Sequence, residues 1–167
     1  SLLPSATEIV YALGLDDHLV GVSHACDYPA DARNKPVVSQ SVRQISHLDS
    51  QEIDAIIQQA RANNNPVHWI DGELLGDLKP DLILTQEICE VCAIGSGSVF
   101  ETAAKVLDYQ PEIMVVRPAS LDDIFQNILK IGAAAQVPQR AADLVQGLQA
   151  RVEYVGNRLT DVTEPAK

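Results

Sequence analysis

Two short stretches concentrate the side chains able to do chemistry. One is His24-Ala25-Cys26-Asp27-Tyr28; the other runs from Gln86 and Glu87 to Cys89 and Cys92. Brought together, His24, Cys26, Cys89 and Cys92 make a Cys3His set, which suits tetrahedral zinc or another soft-ligand metal. A disulfide or dithiol at Cys89–Cys92 is a second chemistry of the same spacing, although redox C-x-x-C pairs normally sit at a helix N-terminus. In a third arrangement these residues are polar and small apolar groups lining a pocket, and the thiols do nothing. A Cys26–His24 nucleophile is disfavoured, because i, i+2 neighbours seldom meet in the geometry of thiol activation. The chain has no G-x-G-x-x-G, no Walker loop and no G-x-S-x-G, so the reading is non-enzymatic.

Each stretch follows a buried strand. Asp81-Leu82-Ile83-Leu84-Thr85 is a short apolar run after a Lys-Pro break and ends on polar residues. Leu19 to Ser23 is a second such run, and Pro36-Val37-Val38 a third, followed by Ser39-Gln40-Ser41. Val67 to Ile70 is a short extended piece and Ile113 to Val116 the last strand. Ligands of open α/β sheets bind just beyond the carboxyl ends of parallel strands, so both stretches are expected at one edge.

Helices are expected between the strands. Ser5/Glu8, Asp49/Glu52 and Ser98/Glu101 have capping-box spacing, and Ser120 is a further N-cap. Ile53, Ile56, Ile57 and Ala60 mark one helical face, as do Phe100, Ala103, Ala104 and Leu107. Leu121, Ile124, Phe125 and Ile128 mark a third. Asn63 to Pro66 ends the helix before Val67, and Asp71 to Leu78 is a short helix carrying Glu73. Pro138 suits the first turn of a final helix. That helix carries Ala141, Val145, Leu148, Val152, Val155 and Leu159 at alternating four- and three-residue steps and spans roughly 30 Å.

Strands alternating with helices predict an α/β fold, a mainly parallel sheet with helices on both faces, ending in a long connector helix. The expected organisation is an amino-terminal α/β lobe over 1–136, a long helix over 137–160 and the start of a link over 161–167. Ser1-Leu2-Leu3 reads as the tail of a strand already under way, so a fragment is expected and a missing leader carries little weight. The net charge of −11 excludes a sequence-independent nucleic-acid binder, which needs a basic face. It is compatible with docking on a basic surface. Three cysteines in 167 residues do not form a disulfide framework. His18 and His47 read as solvated. His68-Trp69 reads as a pocket rim or as partly buried packing.

The segments SLLPSATEIVYALG, LVGVSHACDYP and LKPDLILTQEICEVCA resemble, in order, the amino-terminal lobe of the cobalamin-type substrate-binding proteins of ABC importers. Two lobes joined by one rigid helix characterise that class. The resemblance covers nearly the whole chain. It implies that Pro138 to Leu159 begins the inter-lobe helix of a helical-backbone fold. It implies a ligand site from Pro4, Ser5 and Ala6, from His24, Ala25, Cys26, Asp27 and Tyr28, from Ser41, and from Gln86, Glu87, Cys89 and Cys92. Glu73 matches a lobe-surface glutamate that pairs with permease arginines. Where cobalamin binders of the family set aromatic rings against the corrin, this chain has Ala25 and Ser41.

The implied ligand is a corrinoid, a haem-like or siderophore chelate, or a metal held by the thiols, zinc included. No cofactor is required. The implied partners are that small molecule and a membrane permease, without nucleic acid, and the full-length protein is expected to be a monomer. The implied location is periplasmic or membrane-anchored and extracytoplasmic, with the cytoplasm left open. A Cys/His metal or thiol-redox protein on the same scaffold is the alternative, and an enzyme or sensor derived from a binding protein the third reading.

Overall fold

The amide of Leu2 donates to the carbonyl of Leu84 at 2.8 Å, and the nitrogen of Ser1 donates to Gly21 O at 2.8 Å. These two contacts thread the first residues between two small sheets. The structure is a computed structural model that describes residues 1–41, 49–62, 68–86 and 96–159. One sheet has the order β1 (Val22–Ser23), β2 (Val37–Ser41), β3 (His68–Ile70). The other pairs β4 (Leu82–Gln86) with β5 (Glu112–Val116). The β1/β2 and β4/β5 pairs are parallel and β2/β3 is antiparallel. The α/β class with parallel pairing is as the alternation of elements predicts. The antiparallel β3 is an addition, and it puts Ser41 opposite His68.

By contacts the chain divides into Ser1–Arg117 and Pro118–Lys167. The first unit holds all the strands and α1 (Pro4–Ala12), α2 (Ser50–Ala62), α3 (Gly72–Leu78) and α4 (Ser96–Val106). Its core joins Leu2, Val38, Ile70, Leu75, Ile83, Val99 and Ala103, with Leu78, Val106 and Ile113 packed at its margin. Ile83 and Leu84 are 3% exposed, as expected of an apolar run covered on both faces. The helix α3 starts on Asp71, whose carboxylate accepts the Leu74 amide at 3.0 Å.

The second unit is a helix pair, α5 (Leu121–Ala134) and α6 (Pro138–Leu159). Ser120 caps α5 in a full capping box with Asp123. Three donors, the Ser120 hydroxyl and the Ala119 and Ser120 amides, hold the Asp123 carboxyl below its usual range. Between the helices, Gln136 N–H reaches Ala133 O and Val137 N–H reaches Gly132 O. That is a Schellman turn with Gln136 in the left-handed position, φ 60°. Ala141 and Val145 of α6 are buried, whereas Val152, Val155 and Leu159 are exposed.

Several local expectations are corrected. The helix α1 begins at Pro4 with Leu3 as N-cap and no side-chain cap, so the Ser5/Glu8 box does not form. Proline lacks the amide and pre-sets φ, which starts the helix one residue early. The Asp49/Glu52 box does form, at 3.0 and 2.9 Å. α4 already contains Ser96, so Ser98 lies inside it and caps nothing. On α4 the buried residues are Val99 and Ala103, with Phe100 exposed. On α5 Phe125 and Ile128 are buried, but Leu121 and Ile124 are exposed. The strand expected over Leu19–Ser23 shortens to Val22–Ser23, and β2 extends through Ser41. The side chains of Ile56, Ile57 and Ala60, the stop at Asn63–Pro66, and His47 lie outside what is described.

Candidate functional site

Parallel strands gather their carboxyl ends at one edge. A shallow apolar pocket lined by Ser1, Leu19, Gly21, Pro80, Leu82 and Ile83 marks the opposite, amino edge. From there the first residues, β1 and β4 run side by side. Their far ends therefore bring together Pro4, the loop after Ser23 and Gln86. The parallel β1/β2 register adds Ser41 to that edge, and the antiparallel register adds His68.

The loop after β1 is held from beneath. Ser23 O accepts the Cys26 amide at 3.0 Å, and Ser23 Oγ accepts the Ala25 amide at 3.3 Å. This tight turn drives Cys26 inward, to 4% exposure. Its sulfur accepts a hydrogen bond from Thr7 Oγ1 of α1 and lies against Ser23 Oγ, both at 3.1 Å. Thr7 is fully buried and also reaches Leu3 O at 3.2 Å. Cys26 thus ties β1 to the first turn of α1 and is a free, buried thiol.

His24 takes the other direction. Its amide and its ring Nδ1 both meet Ser39 Oγ of β2, at 3.2 and 3.1 Å. Its ring stacks on His68 of β3, with centroids 5.2 Å apart and planes inclined by 19°. Partial burial, then the neighbouring His68, pushes the His24 pKa below the usual value of 6.5. The ring is therefore neutral at neutral pH. One side of the loop engages α1 through Cys26 and the other engages β2 and β3 through His24.

The remaining expected residues fall as follows. Pro4, Ser5, Ala25, Asp27 and Tyr28 are exposed, Tyr28 to 64%, and Gln86 is half-buried. Ala6 is fully buried, so like Cys26 it supports the edge from inside. Asp27 holds Arg33 at 3.6 Å, with Arg33 Nε donating to Asp27 O. Only the backbone of Ser41 is described, and Glu87, Cys89 and Cys92 lie outside the described residues. Among the described residues no three His, Cys, Asp or Glu side chains cluster as a metal site would need. Glu73 is exposed in the first turn of α3, and His18 is exposed too.

Sequence reasoning missed Thr7 and the role of His68, and it took Ser39 only as part of a cleft loop over Ser39 to Ser41. Thr7 had a signal, a hydroxyl one turn after a helix-starting proline. Ser39 looked like loop because β2 was ended too early. The buried hydroxyl of Thr85, one residue before the end of β4, has no hydrogen-bond partner among the described residues.

The family model described as "Periplasmic binding protein" matches residues 1–167. A vitamin B12-binding protein of Vibrio cholerae is 32% identical over 95% of this chain and 47% of its own length. The ABC transporter substrate-binding lipoprotein YvrC of Bacillus subtilis is 28% identical over the whole chain and 41% of its own. The chain thus spans about half the length of the curated relatives it matches. Among solved structures, the periplasmic haem-binding protein RhuT of Roseiflexus superposes with a TM-score of 0.65 at 22% identity, over 97% of this chain and 49% of that one. The periplasmic vitamin B12-binding protein BtuF of Vibrio cholerae gives 0.60 at 24%, over 96% and 49%. At these identities the superpositions establish the helical-backbone fold.

Proposed function

We propose, for a chain that belongs to the periplasmic binding protein family, that it is the ligand-binding lobe of an ABC importer's substrate-binding protein. The observation that carries the reading is the match of the whole chain to that family, vitamin B12-binding relatives among its members. The gathering of Pro4, the His24–Tyr28 loop, Ser41 and Gln86 at one sheet edge supports it. The ligand is a metal-centred macrocycle, a corrinoid first and a haem-like chelate second. The protein binds and hands over, with no covalent step and no cofactor.

Residues 1–136 serve as the amino-terminal lobe, 137–160 as the rigid connecting helix and 161–167 as the start of the link to a second lobe. A rigid connector permits little closure, so affinity comes from a cleft largely formed in advance. Glu73, exposed on α3, docks on an arginine of the permease. One acidic contact on each lobe would set orientation and register. The setting is extracytoplasmic, as for the relatives.

The test uses the full-length polypeptide. It is incubated with cyanocobalamin and desalted, and the visible absorbance that stays with the protein is read. Stoichiometric retention is expected. A folded protein that retains neither cyanocobalamin nor ferric protoporphyrin IX would overturn the reading. Glu73→Ala is expected to keep retention and weaken permease binding; loss of retention in that variant would show that Glu73 belongs to the ligand site instead.

A further inference from the structure

Ser39 is fully buried, and its hydroxyl oxygen has two partners among the described residues, both on His24. The first is the His24 backbone N–H, which donates to Ser39 Oγ at 3.2 Å. That contact occupies an acceptor lone pair, and the hydroxyl proton still needs an acceptor of its own. The acceptor within reach is Nδ1 of the His24 ring, at 3.1 Å. Were Nδ1 protonated, Ser39 would receive two hydrogen bonds and its own buried O–H would have none. Buried polar groups are rarely left so. The satisfied arrangement has Ser39 donating to Nδ1, and in a neutral imidazole the proton then sits on Nε2.

The ring is fixed in direction as well as in tautomer. Ser39 holds one edge, and the buried ring of His68 lies along one face, 5.2 Å away and inclined by 19°. His24 itself is exposed, in the loop that leaves the carboxyl end of β1, at the edge it shares with Pro4 and Gln86. Nε2 has no hydrogen-bond partner among the described residues.

We infer that His24 enters the ligand site as a hydrogen-bond donor, through Nε2–H, to a carbonyl or carboxylate oxygen on the rim of the bound macrocycle, and not as a ligand of its metal. The inference rests on the binding-protein reading and names what the site recognises. A corrin offers amide oxygens on its rim and a porphyrin offers carboxylates, and both accept. Coordination of the metal would require the Nε2 proton to leave and the Ser39 hydroxyl to lose its acceptor. His24 is the specificity residue, and Ser39 and His68 position it.

The experiment has two readouts on the full-length protein. Long-range 1H–15N spectra at pH 8, with the His24 signals assigned by their loss in His24→Gln, are expected to show the Nε2-protonated pattern. Ser39→Ala is expected to mix the two tautomers. In titrations, His24→Phe keeps a ring without a donor and is expected to weaken macrocycle binding about three- to tenfold. His24→Gln keeps an N–H donor and is expected within about twofold of the parent. A larger loss with cyanocobalamin assigns the amide rim, and a larger loss with ferric protoporphyrin IX assigns the carboxylate rim.

Three results overturn the inference: an Nδ1-protonated pattern, unaltered affinity of His24→Phe for both macrocycles, or an imidazole-type red shift of bound diaquocobinamide that His24→Gln abolishes. Failure of the parent protein to retain either macrocycle overturns it together with the binding-protein reading. Retention with unaltered affinity in His24→Phe overturns it alone.

Discussion

Thr7 Oγ1 donates a hydrogen bond to Cys26 Sγ at 3.1 Å, both groups buried, and so joins the first turn of α1 to the loop after β1. The expected reactivity of Cys26 follows. Its thiol is to stay inert to an aromatic disulfide reagent in the native state and to react at once in denaturant. Thr7→Val keeps the volume and removes the donor, at a cost of about 1 kcal/mol. Urea midpoints check the stability, and the rate of thiol labelling checks the loosening of the loop. An unchanged midpoint with an equally protected thiol would mean that the sulfur contact contributes nothing.

The depressed pKa of His24 gives stability a pH dependence with a definite sign. In the unfolded chain the imidazole titrates near 6.5, and in the native state below it. Between the two values the unfolded chain binds more protons, so stability rises with pH there. The contribution is complete above about 6.5 and is lost as pH falls through the native value. Urea midpoints recorded from pH 7.5 to 5 are expected to fall, and His24→Gln is expected to flatten part of that slope. A slope identical in parent and variant would assign the dependence to other groups.

The frame was legible in the sequence where burial is continuous, and illegible where it depends on distant partners. Leu82 to Leu84 reads as strand because Ile83 and Leu84, on opposite faces, are both buried and no polar residue interrupts the run. Ser120 reads as a cap because its partner Asp123 is three residues on. The pairing of His24 with His68 has no local period to announce it. It arises because β3 runs back along β2 and sets His68 opposite Ser41. The same antiparallel return explains why β2 looked too short: its last residues are polar, and Ser39 is buried by the neighbouring strands on both sides. Cys26 stood out by type alone; that the turn at Ser23 carries its thiol inward depends on local backbone geometry that no periodicity announces.

Thr85 offers a test of a buried hydroxyl. Its side chain is 1% exposed and its Oγ1 has no hydrogen-bond partner among the described residues. Burying an unpaired hydroxyl costs about 1–3 kcal/mol. Thr85→Val is close in shape and removes the penalty, so the variant is expected to gain about 1 kcal/mol in urea unfolding. Macrocycle retention is expected to be unchanged. A destabilised variant would show that the hydroxyl has a partner in solution.

The turn between α5 and α6 carries the last prediction, in two opposing parts. Gln136 sits at φ 60°, where a side chain costs about 1–2 kcal/mol and glycine costs little. Gln136→Gly removes that strain but widens the unfolded ensemble, by about 0.4–1 kcal/mol. The net expectation is a gain of about 0.5–1 kcal/mol. Gly132, in the last turn of α5, points the other way. A Cβ there would overlap the Ala141 Cβ of α6, so the helices are this close only because the side chain is missing. Gly132→Ala improves helix propensity by about 1 kcal/mol, yet forces the pair apart at a cost of about 1–3 kcal/mol. A net loss is expected. Urea unfolding of both variants decides the matter: a stabilising Gly132→Ala would mean that α6 yields to the added methyl, and a destabilising Gln136→Gly would mean that the glutamine side chain holds the turn through a contact of its own.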